Sequence, residues 1–229
     1  MQHIALIMDG NRRWARNNKL QTVVMGHKKG VEPVKKSVQW SLDHNIKYLS
    51  LYAFSLENRG RSEEEKSGIF SVMIDAIESE SNELTQKGVS IRFIGDRTLF
   101  PDFLREKIEY IESQTSAGTK LHLQVMFFYG GQQEIVAATR ALAQKVKEGK
   151  ISPDDINLES IEKSLWTAGI PDPEIIIRAG GFSRLSNFLP FQSAYSELFF
   201  LDVLWPDFNE SHLNDCVERF NVIKRKFGQ

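Results

Sequence analysis

The chain has 229 residues, 41% of them hydrophobic and 26% charged, with a formal net charge of −1. That is enough chain for one large α/β domain with a packed core, and no overall basic field favours nucleic acid. Cys216 is the only cysteine, which excludes an intrachain disulfide framework and a cysteine-built zinc site.

In chain order, strand-like apolar runs occupy residues 3–8, 46–54, 89–94, 121–129, 174–178 and 197–201. Longer periodic patterns near 27–44, 62–87, 101–117, 130–149, 156–167 and 209–227 read as helices. Cys216 falls in the last of these and reads as a packing residue. This alternation predicts a single domain over residues 1–229, with a mostly parallel sheet of about six strands covered by helices on both faces. The stretch Ser62-Glu63-Glu64-Glu65 fits a capping box at a helix start. After it, Ile69, Phe70, Val72, Met73, Ile77 and Leu84 fall largely on one face. That face either fills the core or lines an apolar ligand channel. No charged segment precedes an apolar run and a cleavage site, and no run approaches a membrane span, so a cytoplasmic protein is expected.

Polar clusters follow the strands. Asp9 closes the first, Ser55 to Arg61 the second, Gly95-Asp96 the third, Tyr129-Gly130-Gly131 the fourth and Arg178 the fifth. In a parallel sheet these positions share the carboxyl edge, where open α/β folds place their ligands. Asp9-Gly10-Asn11-Arg12-Arg13-Trp14 is the most informative string. Asp9 could merely cap a helix. The neighbouring Gly and paired Arg residues favour a phosphate site, which a carboxylate would repel unless a divalent cation stood between them. His27 lies between Gly26 and Lys28-Lys29 at an expected helix start, either structural or beside an anion. Asn58 and Arg61 sit in a loop that is either a plain connector or a diphosphate contact. Arg178 ends a buried strand and needs a counter-charge, and Arg184 and Ser186 follow within one short loop. Glu197 opens the last strand, as an edge feature or a ligand. No P-loop, dinucleotide fingerprint or zinc spacing is present in the sequence. Asp154-Asp155 reads as a helix start.

At these residues the chain resembles the cis-prenyltransferases, the family of undecaprenyl diphosphate synthase, over nearly its whole length. The matching strings are His3 to Trp14, Gly26-His27-Lys28, Leu51 to Ser55 with Glu57-Asn58, Ile94-Gly95-Asp96, Tyr129-Gly130-Gly131, Arg178 to Phe188, Gln192 to Phe200 and Leu204 to Phe208. The resemblance implies a parallel-sheet homodimer with an apolar tunnel, extending an allylic diphosphate by isopentenyl diphosphate. It implies Mg²⁺ held by Asp9 and Glu197, with Gly10, Asn11, Arg12 and Arg13 cradling the allylic diphosphate and Trp14 beside its chain. By the same carry-over Ser55, Leu56, Glu57 and Arg61 position the incoming group, Arg178, Arg184, Leu185 and Ser186 bind isopentenyl diphosphate, and Asn58 and His27 take part in proton removal. The product would be the undecaprenyl carrier lipid for cell-wall glycans, delivered from the cytoplasm or the inner membrane face.

The sequence also departs from the family pattern. Phe182 stands where an acidic residue is usual, Arg59 in place of Trp, and Val23 in place of a basic residue. Met126-Phe127-Phe128 replaces the usual approach to Tyr129, and Gln132 replaces an Arg. Two further readings follow. In one, the Phe127–Phe128 pair shortens the tunnel or favours another acceptor. In the other, the chain is a non-catalytic binding or partner subunit that kept the fold.

Overall fold

The computed structural model describes residues 1–223. Its six strands are β1 (His3–Ile7), β2 (Tyr48–Ser55), β3 (Val89–Ile94), β4 (Leu121–Tyr129), β5 (Ile175–Arg178) and β6 (Glu197–Phe200). They form one sheet in the order β3-β4-β2-β1-β5-β6, and every neighbouring pair is parallel. All five residues of β1 and all four of β5 are buried, as expected for central strands covered on both faces.

The helices are α1 (Asn11–Asn17), α2 (Val23–Lys29), α3 (Val31–Asp43), α4 (Glu63–Gln86), α5 (Asp102–Thr115), α6 (Gly131–Lys147), α7 (Leu158–Glu162) and α8 (Glu210–Val222). Successive strand side chains point to opposite faces. Ile4, Leu6, Leu49, Leu51, Leu123 and Val125 therefore join one core with residues of α3, α4, α5 and α8. Ala5, Ile7, Met126 and Ile176 join a smaller cluster with Phe188 and Leu189. Cys216 is fully buried in the larger core.

Four expectations change. The pattern at 27–44 is two helices, α2 and α3, divided at Gly30. Pro33 has no N–H to donate to Lys29, and its ring would clash there in a continuous helix. His27 accordingly lies in the last turn of α2, not at a helix start. The expected helix at 156–167 is only Leu158–Glu162, and Asp154-Asp155 belong to a single 3₁₀ turn, Pro153–Asp155. The end of the expected helix at 209–227 lies partly outside the described residues. Among the described residues no helix is long and apolar enough to cross a membrane.

Phe127 and Phe128 are consecutive, yet both rings enter one aromatic cluster with Phe54, Phe70 and Phe100. The pairing explains this. Phe54 faces Phe127, but Ser55 faces Tyr129, so β4 bulges at Phe128, whose φ is +48°. A bulge interrupts the two-residue alternation.

Beneath the carboxyl edge, the fully buried Glu134 of α6 accepts from the Tyr129 hydroxyl at 2.6 Å and the Thr167 N–H at 2.9 Å. It also accepts from Thr167 Oγ1 at 2.8 Å and Gln192 Nε2 at 2.9 Å. These bonds tie α6 to the segment that returns from β5 to β6. That segment carries Arg184 and Ser186.

Candidate active site

β1 pairs with both β2 and β5, and their outgoing connections lead to opposite sides of the sheet. Such a divergence opens a crevice at the carboxyl ends. Ile7 faces Arg178 across β1 and β5, which brings Asp9 beside the end of β5. Arg178 donates to Asp9 Oδ2 at 2.9 Å and to Ser186 Oγ at 2.8 Å, and it also donates to the Arg184 carbonyl. Asp9 Oδ1 lies 3.4 Å from Arg13. The buried arginine thus has its counter-charge in the first strand's own loop.

Two glycines permit this approach. Gly10 has φ +115° and a Cβ there would lie 3.0 Å from Leu204. Gly180 has φ +94° and a Cβ would lie 2.5 Å from Arg13 Nη2 and 3.1 Å from Asp9. Both positions favour the residue without a side chain.

Two cavities meet at Asp9. The smaller, about 310 Å³, is lined by Gly10, Asn11, Arg12, Arg13, Arg16 and Arg61, among others. The larger, about 690 Å³, has a polar head with Asp9, Ser55, Glu57, Asn58, Arg61, Arg178 and Ser186. Its apolar walls include Val31 and Val34 of α3, Leu51 and Ala53 of β2, Leu123 and Val125 of β4, and Val72, Met73, Ala76 and Ile77 of α4. The apolar stripe of α4 therefore serves both roles foreseen for it. Ile69, Val72, Met73 and Ile77 line the cavity, whereas Phe70 fills the aromatic cluster. Phe127 and Phe128 are not among the lining residues.

His27 lines both cavities. Burial, with Arg61 and Arg12 nearby, pushes its pKa down to about 4. Its buried Nε2 has no hydrogen-bond partner. The ring is therefore neutral at neutral pH, and only anions bound beside it would raise its affinity for a proton. His3, enclosed between Ser50 and the Pro171 carbonyl, is also pushed to about 4 by burial. Between about pH 6.5 and 4 the unfolded chain binds protons that these two rings refuse in the native state. Stability then rises with pH across that window, by on the order of 3 kcal/mol per histidine. Denaturant titrations at pH 7 and pH 4.5 should show the loss, and replacing His3 with Gln should reduce it.

Glu65 is a residue the sequence did not single out. Its carboxylate is buried and lies 3.2 Å from Arg61, 3.5 Å from Arg12 and 3.8 Å from His27. Only half of the expected capping box is made: Ser62 Oγ accepts from the Glu65 N–H at 3.3 Å, while the Glu65 carboxylate turns to the arginines. Which of three successive glutamates would be buried was set by the docking of α4 on α2, not by local sequence. Trp205, also unforeseen, lines the larger cavity and donates to the Gly30 carbonyl at 2.8 Å. Tyr52 lines it too, and its hydroxyl donates to the Ser186 carbonyl at 3.2 Å.

Several expected site residues lie elsewhere. Trp14 lines neither cavity; its indole donates to Asp207 at 2.8 Å. On α1 it stands about half a turn from Arg12 and Arg16, so it faces away from the crevice. Leu56 packs on the larger core and Leu185 on the smaller one. Arg184 reaches the crevice through its carbonyl, while its guanidinium lies over Phe182 at 4.3 Å. Glu197 is the largest displacement. It pairs with Ile175, whereas Arg178 pairs with Phe200. Three residues of strand, about 10 Å, separate its level from that of Arg178 and Ile7, and Asp9 lies beyond Ile7. Within one chain Asp9 and Glu197 do not form a joint metal site, and among the described residues no group of three His, Cys, Asp or Glu is placed to hold a metal ion.

Comparison with known proteins bears on the fold and the family. Residues 7–228 match the model of the family described as "Putative undecaprenyl diphosphate synthase". A ditrans,polycis-undecaprenyl-diphosphate synthase, (2E,6E)-farnesyl-diphosphate specific, from Haemophilus ducreyi is 42% identical over 99% of this chain and 93% of that protein. An isoprenyl transferase of Agrobacterium fabrum is 43% identical over 99% of this chain and 92% of its own length. The lavandulyl diphosphate synthase of Lavandula x intermedia, solved with dimethylallyl diphosphate, superposes with a TM-score of 0.96 at 35% identity, covering 100% of this chain and 98% of that one. A probable undecaprenyl diphosphate synthase from Campylobacter jejuni gives 0.81 at 30% identity, covering 100% and 99%. The chain belongs to the undecaprenyl diphosphate synthase family of prenyltransferases.

Proposed function

We propose that this chain condenses isopentenyl diphosphate with an allylic diphosphate of the farnesyl type, forming a cis-polyprenyl diphosphate that serves as the undecaprenyl carrier lipid. The observation that carries the reading is one continuous cavity. Asp9, His27, Asn58, Arg61 and Arg178 are among its polar lining, and apolar side chains of α3, α4, β2 and β4 form much of the rest. Arg12, Arg13 and Arg16 in the adjoining cavity offer donors to an allylic diphosphate. Arg178 and Ser186 offer them to the second diphosphate.

The donor set at Asp9 fits Mg²⁺. This ion is commonly held by one or two carboxylates with substrate phosphates and water, and Asp9 lines both cavities. Bound there, Mg²⁺ would offset the charge developing on the leaving diphosphate. The arginines stabilise the same charge by directed hydrogen bonds. Apolar walls exclude water from the allylic cation. Neutral His27 and the Asn58 amide are the groups at the cavity head suited to receiving or orienting the departing proton. Each added five-carbon unit gains roughly 3–4 kcal/mol of apolar burial, at about 0.8 kcal/mol per CH₂.

A homodimer is part of the proposal. β6 is an edge strand, with Leu198 41% and Phe200 36% exposed. A second copy meeting this edge would cover it and present Glu197 to a neighbouring site. The protein would act in the cytoplasm and release its product to the inner membrane face.

The test is incubation with labelled isopentenyl diphosphate, farnesyl diphosphate and Mg²⁺. Extractable labelled polyprenyl product is expected, and none at any acceptor length would refute the reading. A second reading, a short product or a short acceptor, has its own support in the likeness to the lavender enzyme solved with dimethylallyl diphosphate. Thin-layer separation decides between them, since a C55 product excludes it. Diphosphate binding without turnover would favour a partner subunit.

A further inference from the structure

Phe182 follows two left-handed glycines, Gly180 at φ +94° and Gly181 at φ +74°. Three guanidinium groups converge on its ring. Arg184 lies 4.3 Å from the ring centroid, Arg13 4.7 Å and Arg178 5.9 Å. Arg13 comes from α1 and lines the smaller cavity, whereas Arg178 ends β5 and lines the larger one. One aromatic side chain thus touches the arginines of both anion subsites.

The charges near this ring are not balanced by it. Asp9 is shared by Arg13 and Arg178. Arg13 Nη2 and Arg178 Nε are buried without hydrogen-bond partners. An aromatic face attracts a guanidinium through its quadrupole but removes none of its charge. It also occupies the flat face of the group and leaves the N–H donors on its rim free. A carboxylate at the same position would instead neutralise an arginine and engage those donors.

We infer that Phe182 is a positioning residue whose ring holds Arg13 and Arg178, one lining each cavity, so that Arg13 Nη2 and Arg178 Nε stay available to a diphosphate. The inference rests on the diphosphate reading given above. Its physical content is that ring electrostatics, rather than bulk, keep the arginines in place. Phe182 is 39% exposed, so replacing it leaves both core clusters intact.

The experiment is calorimetric titration of the whole protein with inorganic pyrophosphate, without Mg²⁺ so that the arginines carry the binding, followed by steady-state kinetics with Mg²⁺. Phe182→Leu keeps an apolar side chain and removes the quadrupole. It should bind pyrophosphate about tenfold more weakly, a loss expected of one or two cation–π contacts. KM for both diphosphates should rise by a similar factor, with kcat within about twofold. Phe182→Tyr, which retains the ring, should restore affinity to near wild type. Leucine and wild type binding equally would overturn the inference, and so would a tyrosine variant as weak as the leucine one, because packing would then be the cause. Wild-type protein that binds no pyrophosphate either with or without Mg²⁺ would overturn the diphosphate reading itself, and the inference with it.

Discussion

Replacing Asp9 with Ala should lower kcat/KM by about 10³-fold or more while the protein still folds. Several kcal/mol of charge stabilisation on a leaving diphosphate is at stake, and each 1.36 kcal/mol is about tenfold in rate. Asp9 is the carboxylate on which the two cavities meet, and Arg178 and Arg13 both address it. Its side chain is 29% exposed but that of Arg178 only 5%, so the arginine loses its counter-charge in a largely buried setting and the stability loss should be about 2–3 kcal/mol. Arg178 would keep Ser186 and the Arg184 carbonyl as acceptors. The Asp9→Asn variant separates charge from shape, and it should be nearly as inactive as Ala. Turnover by the product assay, with thermal melting as the control, measures both quantities. Retained activity in either variant would remove Asp9 from the reaction.

The largest stability effect is expected at Glu134. Its carboxylate accepts four hydrogen bonds in a fully buried setting, from Tyr129, Gln192 and twice from Thr167. Glu134→Ala would leave the Tyr129 hydroxyl and the Thr167 N–H without acceptors in the interior. Charge-assisted bonds and stranded donors of this kind cost about 3–5 kcal/mol together. For a domain of this size that corresponds to a drop in Tm of roughly 10 °C or more. Burial already holds the Tyr129 phenol far above its usual pKa, so it acts only as a donor. Because Gln192 anchors the return from β5 to β6, the loop bearing Arg184 and Ser186 should loosen too. A raised KM for isopentenyl diphosphate in the surviving folded fraction would register this. An unchanged melting temperature would mean that water replaces the carboxylate.

The sheet was legible in the sequence to within two residues at each strand end, and β3 and β4 matched throughout. Buried parallel strands are continuous apolar runs, and such runs between polar turns are hard to mistake. Asp9 and Arg178 were legible for a related reason, as polar residues placed directly after those runs. Helix α1 was not, because it buries little beyond Ala15 and shows no apolar stripe. Arg12, Arg13 and Arg16 share one side of that short helix while Trp14 faces Asp207. Motif matching lists residues in order and carries no helical phase, so it placed Trp14 beside the substrate chain. It also placed Glu197 at the metal site, since strand direction and register, not proximity in a motif, decide which edge a residue occupies.

The sequence by itself determined a parallel α/β sheet, its carboxyl edge as the ligand edge, and the residue types that could meet a diphosphate there. Local pattern suffices for these because period and strand ends are properties of neighbouring residues. The tertiary structure alone decided which of three glutamates would face Arg12, Arg61 and His27, and that the α4 stripe is shared between cavity and core. It also decided that Phe182 would gather arginines from both ends of the chain. Burial, desolvation and charge pairing depend on groups brought together from distant segments, and no window of sequence contains them.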